Sequence, residues 1–171
     1  ISINEKKGEK SLEIDERKAA EDTHCISIQQ PWATLILEGI KRVEGREWPT
    51  LHRGRLWIHA AAKPLDELTQ FTAESLYHSV AIEQSVDLAS LTYPVSTLLG
   101  SITLETCLSY DQYTQSDYPI DASLFSDMIP SKFYFILSHP LKLKHPVMMR
   151  GNVKLWKLEK SLVLSCLEDF I

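Results

Sequence analysis

Lys41, Glu44 and Arg46 stand close together in Gly39-Ile40-Lys41-Arg42-Val43-Glu44-Gly45-Arg46-Glu47-Trp48 and put two cations and a carboxylate on one short stretch. A carboxylate beside a guanidinium is a pair whose ionisation can be perturbed, and a neighbouring lysine can activate a water. With Glu105 brought in from another strand as a second carboxylate, the set would have the parts of a general acid–base site. The same residues also read as a plain ion-paired strand face. Side chains two apart share a face of an extended chain, so Arg42, Glu44, Arg46 and Trp48 point one way and Val43 and Gly45 the other.

Other chemistry finds little support. The sequence has no Gly-x-Ser-x-Gly, phosphate-binding Gly-rich loop or His-Glu-x-x-His, and its six His are scattered, so no catalytic residue, metal site or cofactor is expected. Cys25, Cys107 and Cys166 are far apart with no Cys-x-x-Cys, as structural thiols would be.

The elements that must hold these side chains follow from periodicity. Residues 25–28 read as a short strand. Pro31 opens a helix in which Trp32, Leu35, Ile36 and Gly39 fall at i, i+3, i+4 and i+7, with Gly39 as its stop. A turn over 49–54 leads to a strand over 55–61 with Leu56, Ile58 and Ala60 inward and Arg55, Trp57 and His59 on a second, polar face. Pro64, Asp66 and Glu67 start a helix striped by Leu65, Leu68, Phe71, Thr72 and Leu76, while 78–96 has no clean period. Residues 98–107 form the clearest strand, with Leu98, Ile102 and Leu104 on one face and Ser101, Thr103 and Glu105 on the other. The polar segment 109–131 reads as a loop with at most a short helix. Residues 132–137 are apolar on both faces, Lys142 and Lys144 alternate with Leu141 and Leu143, and 153–158 is a last strand. The apolar run 162–167 reads as a packed terminal helix or as a protein-interaction surface. This pattern predicts an α+β fold: a small mixed β-barrel of five to six strands with peripheral helices.

A chain of 171 residues, 44% hydrophobic and 24% charged, is one globular domain, expected as 24–171 after a tail over 1–23 with a short helix over 13–20. No apolar run approaches the ~20 residues of a membrane span and no signal peptide leads the chain, so the expectation is an intracellular protein, nuclear or cytoplasmic, and a monomeric domain. It opens on Ile rather than Met, as a fragment of a longer protein would.

Net charge is −5, but unevenly spread. Residues 39–63 hold six Lys or Arg against two acids, residues 132–158 hold six against none, and residues 64–131 hold ten acids and no Lys or Arg. If the fold gathers the blocks, one side is positive and nucleic acid, DNA or RNA, becomes the expected partner. Lys41, Arg42, Arg46, Arg53, Arg55 and Lys63, with Lys142, Lys144, Arg150, Lys154 and Lys157, would neutralise phosphates, and His59 joins them in the nucleic-acid-binding set. Trp32, Trp48 and Trp57 are candidates for stacking, and Gln30, Trp32, Glu44 and Glu105 would line a cleft.

Gly39-x-Lys41-x-x-Glu44-x-Arg46 resembles the signature of the ASCH domains, a PUA-like β-barrel family, and so do its flanks. These are Cys25-x-Ser27-x-x-Gln30-Pro31-Trp32-Ala33, His52-Arg53-Gly54-Arg55-Leu56-Trp57-Ile58 and Gly151-Asn152-x-Lys154-x-Trp156-Lys157-Leu158. The resemblance implies a barrel whose cleft is lined by Lys41, Glu44 and Arg46. It also implies nucleic-acid binding within transcription or translation assemblies, nuclear coactivator complexes among them. Some small bacterial members are amidohydrolases acting on modified nucleosides, and they carry Thr where this chain has Glu44, so the resemblance implies that hydrolysis would lack its nucleophile here.

Overall fold

The computed structural model describes residues 22–126 and 129–171. The tail expected over 1–23, with its helix over 13–20, falls almost wholly outside them. Strand β1 (His24–Ile28) leads into α1 (Trp32–Leu37), β2 (Val43–Arg46) and β3 (Gly54–Ala60). Then come α2 (Glu67–Leu76), α3 (His78–Glu83), a 3₁₀ turn (Leu88–Ser90), β4 (Thr97–Ser109), α4 (Tyr110–Thr114) and α5 (Ser123–Ser126). The long β5 (Phe133–Met148), the short β6 (Leu155–Lys157) and α6 (Lys160–Leu167) close the chain.

The strands form one sheet curled into a half-barrel, in the order β2-β5-β4-β3-β1-β6. Only β1 and β3 run parallel, since the α1 crossover joins β1 to the rest; the other pairs are antiparallel. This is the mixed α+β architecture that the strand pattern predicts. Among the described residues no helix is long and apolar enough to cross a membrane.

The main core lies inside the curl, where α1 packs Ile36 and Leu37 on Ile26, Ile58, Ile102 and Phe135. The opposite face of β1 and β3 is not polar, contrary to its alternation. Trp57 and His59 are fully buried there, because α6 and the segment after it lay Val163, Cys166 and Phe170 over Cys25 and Trp57. The run 162–167 is thus a packed helix, with Val163 and Cys166 buried and Leu164 half exposed. Each such large apolar side chain contributes about 1.5–3 kcal/mol when fully buried.

Three other expectations change. Leu98 joins the outer cluster while Ile102 and Leu104 stay in the inner one, because a bulge between Leu98 and Gly100 flips the faces of β4. Helix α2 starts where Pro64, Asp66 and Glu67 place it, with Asp66 as its cap, but it packs through Ala73 and Leu76, leaving Leu68 and Phe71 of the apparent stripe exposed. The segment 109–131 is more ordered than a loop: Ser109 and Gln112 form a capping box on α4, whose Tyr113 is fully buried.

Candidate functional site

Gly39 adopts φ +74°, the left-handed turn that ends α1 without steric penalty. The N–H groups of Ile40 and Lys41 then both return to the Leu35 carbonyl. This tight reversal directs Lys41 inward and leaves Arg42 exposed, its Nε donating to the Gly39 carbonyl. Because β2 begins only at Val43, the alternation that would place Arg42 beside Glu44 does not hold.

Lys41 is 4% exposed. Its Nζ donates to the Val43 carbonyl, lies 3.4 Å from Glu44 Oε2 and 3.8 Å from Asp121 Oδ1, and sits 5.7 Å from the Trp32 ring centroid. Glu44 Oε1 is 3.3 Å from Arg46 Nη2, which also donates to the Ser27 carbonyl at 3.4 Å. Arg46 Nε is enclosed with no hydrogen-bond partner among the described residues. The second carboxylate is therefore Asp121 rather than Glu105. β5 stands between β4 and β2 in the sheet, so Glu105 faces elsewhere, half exposed, accepting from Ser138 Oγ near His139.

Asp121 was invisible to motif reading because it lies in the polar segment after α4. The Tyr113 hydroxyl fixes that segment, accepting from the Asp121 N–H at 2.7 Å and donating to the Pro119 carbonyl at 3.0 Å. Asp121 Oδ1 accepts from the Ser123 hydroxyl at 2.7 Å, the Ser123 N–H at 3.0 Å and the Tyr77 hydroxyl. Burial, reinforced by the Asp121 charge, pushes the Tyr77 phenol far above its ordinary range, so it remains a donor. The Asp121-x-Ser123 turn was the one local sign of an ordered aspartate here.

The result is a chain of contacts from Arg46 through Glu44, Lys41 and Asp121 to Tyr77, two cations balanced by two carboxylates. Gln30, expected in the cleft, is buried and committed. Its Nε2 donates to Thr34 Oγ1 and the Pro94 carbonyl, and its Oε1 accepts from the Thr34 N–H. Trp32 is half-buried, edge-on to Tyr77.

Trp57 offers no stacking face: its ring is fully buried against Phe170, and its Nε1 donates to the Asp22 carbonyl. Trp48, half-buried, packs edge-on against Phe135. His59 is equally enclosed. Its Nε2–H meets the Met149 carbonyl at 2.8 Å, so Nδ1 accepts from Ser27 Oγ at 3.0 Å. Gly151 lies directly on this Ser27–His59 pair, where a Cβ would collide with both side chains. Arg55 is held over Trp57 and Phe170 and donates to Ser101 Oγ at 2.7 Å; burial lowers its pKa.

Arg53, Lys63, Arg150, Lys154 and Lys157 are exposed, and none has a carboxylate within ion-pair distance among the described residues. Strand order brings parts of both basic blocks to β1. β1 lies between β3 and β6, with Cys25 opposite both Trp57 and Trp156. Lys157 pairs with His24 at one end of β1. At the other end, Ser27 receives Arg46 from the first basic block and Gly151 from the second.

Residues 26–146 match the family described as ASCH domain. Over 141 residues the chain is 41% identical to activating signal cointegrator 1 of Homo sapiens and, at the same identity, of Mus musculus. The match covers 81% of this chain and 22% of each relative, so the chain spans about a fifth of the length of the curated relatives it matches. In fold it resembles a point mutant of ZmASCH from Zymomonas mobilis, at TM-score 0.50 and 16% identity over 86% of this chain and 98% of that one. Signature, sheet and relatives agree: the chain belongs to the ASCH domain family.

Proposed function

We propose that this chain is a nucleic-acid-binding module, DNA or RNA, of a coactivator-like protein working in a nuclear transcription or translation-associated complex. The observation that carries the reading is the meeting of both basic blocks at β1. Arg46 and the Gly151 turn seat on Ser27, and Arg53, Lys154 and Lys157 project from the strands on either side or from their approaches. Phosphates fall to Arg53, Lys63, Arg150, Lys154 and Lys157, which have no carboxylate within ion-pair distance among the described residues. Arg46, a quarter exposed and steadied by Glu44, donates to a base or strand end, and half-buried Trp32 supplies an apolar edge. Against hydrolysis of a modified nucleoside stand Glu44 at the position where the hydrolytic members carry Thr and the saturation of buried Lys41 by its own carboxylates.

The test is titration of labelled single- and double-stranded DNA and RNA at several salt concentrations. Five neutralised phosphates give a log–log slope of about −3.5 on single strands and about −4.5 on duplex. Replacing Arg150, Lys154 and Lys157 together by Gln flattens the slope by roughly 2 to 3. Affinity indifferent to salt, or unchanged in that triple variant, defeats the proposal.

A further inference from the structure

The exposed side chains of α2 and α3 bear on a second surface. A groove of about 650 Å³ runs between these helices and the 3₁₀ turn, lined by Phe71, Ser75, His78, Ile82, Val86 and Leu88. Phe71 is 70% exposed, Ile82 64%, and Leu68, one turn before Phe71 on the same helix face, 74%. The helices turn the small residues Ala73 and Ala81, with Tyr77, towards α1, so their bulky apolar side chains are left outside. Such a stripe on a helix pair is unsatisfied in the domain itself.

The rim decides what covers it. Glu74 and Asp87 line the groove, and Glu67 and Glu83 are exposed on the same two helices; none forms an ion pair among the described residues, and residues 64–131 contain no Lys or Arg. Glu74 accepts from Gln70 Nε2 and the Tyr93 hydroxyl, and Asp87 caps the 3₁₀ turn, so both carboxyl groups are held at the lip. An acidic lip repels nucleic acid and anionic lipid and attracts a cationic chain. A trough between two helices takes a helix rather than a strand, because it offers no sheet edge to extend.

We infer that the α2–α3 groove docks a basic amphipathic helix of a partner protein, its apolar stripe seated on Phe71 and Ile82 and its Lys or Arg residues on the acidic lip at Glu74 and Asp87. The site is remote in chemistry from the basic edge at β1, and the two stand or fall separately.

The probe is a displayed library of helix-biased peptides of about 15 residues, selected on the whole chain. Recovered sequences should carry apolar residues at helical spacing interleaved with Lys or Arg. Their affinity should fall at least about tenfold in Phe71→Ser/Ile82→Ser and weaken between about 50 and about 500 mM salt. Because both residues are exposed, the variant should melt like the parent chain and keep its nucleic-acid titration. No enrichment, enrichment of acidic or uncharged peptides, or binding indifferent to the double substitution overturns the inference. So does light scattering that shows a dimer lost in the variant, which would give the groove to a second copy of this chain.

Discussion

Lys41 is the group on which the charge cluster turns, and removing its two carboxylates one at a time exposes what the cluster does. At 3.4 and 3.8 Å, Glu44 and Asp121 each attract its ammonium by roughly 4–5 kcal/mol at an effective dielectric of about 20, most of it offset by the cost of dehydrating the charges. In Glu44→Gln or Asp121→Asn the remaining carboxylate still balances Lys41, so each single change costs about 1–2 kcal/mol. In the double variant a cation with 5% side-chain exposure has no counter-charge, and the loss rises to about 3–5 kcal/mol. The excess over additivity is about 1–2 kcal/mol, and the double variant should melt roughly 10 °C below the parent. Lys41→Met in the double variant should restore most of the loss, since a thioether beneath Trp32 needs no anion. Urea unfolding followed by Trp fluorescence and far-ultraviolet circular dichroism measures all five proteins. Strict additivity, or no rescue by Lys41→Met, would refute the reading of Lys41 as a buried, internally neutralised cation.

His24 stacks on His52 and its pKa lies below the ordinary value of 6.5, chiefly through burial and then through His52 and Lys157, with Asp22 opposing. The unfolded chain therefore binds the proton first as pH falls, so stability is full above about pH 6.5 and declines as pH drops from there towards the folded-state pKa. His24→Gln should flatten the urea midpoint between about pH 7 and about pH 5, and an unchanged slope assigns the acid sensitivity elsewhere. Trp57→Ala should cost about 3–5 kcal/mol in denaturant while the folded fraction binds nucleic acid as before; a binding defect in stable Trp57→Phe would place that ring at the interface after all. Gly151→Ala forces a methyl group into Ser27 and His59, and should cost about 1–3 kcal/mol and weaken nucleic-acid affinity by displacing Arg150 and Lys154. Parent-like melting and binding would separate that turn from the interface.

What was legible in the chain was what local rules write. Gly39 as a helix stop, the helix start at Pro64, Asp66 and Glu67, and the strands over 25–28 and 98–107 need only neighbouring residues, and they are all present. The errors share a different cause. Arg55, Trp57 and His59 alternate like a solvated face, yet Trp and His are also good core residues, and the apolar run at 162–167 needed a surface to cover. Considered together, those two features would have placed α6 on β3. Leu98 changed sides through a bulge that no residue type announces. Glu105 was assigned to the cleft by chemistry alone, whereas strand order, a non-local property, puts β5 in the way. Asp121 enters the site for the same kind of reason: its partner Lys41 is distant in sequence, and only Tyr77 and Tyr113 bring the segment to it.

The distribution of charge bears on the proposed partner more than its net value does. A net charge of −5 argues against nucleic acid only if the acids and bases are mixed over one surface. In this fold the acid-only segment supplies α2 and α3, which pack on α1 through Ala73, Tyr77 and Ala81, and β4, which joins the sheet beside β3 with Glu105 as its only acid. The basic blocks supply β3, β6 and their approaches, which that same strand order sets on either side of β1. A domain of this size has a radius of gyration of about 15 Å, whereas charges at physiological salt are screened within about 8 Å. Each surface therefore presents its own sign to whatever approaches it. The Lys41 cluster, neutral within itself, adds to neither: it ties the end of β2 to Tyr77 at the end of α2, so that the cationic edge and the acidic groove are held by one buried network while remaining electrostatically distinct.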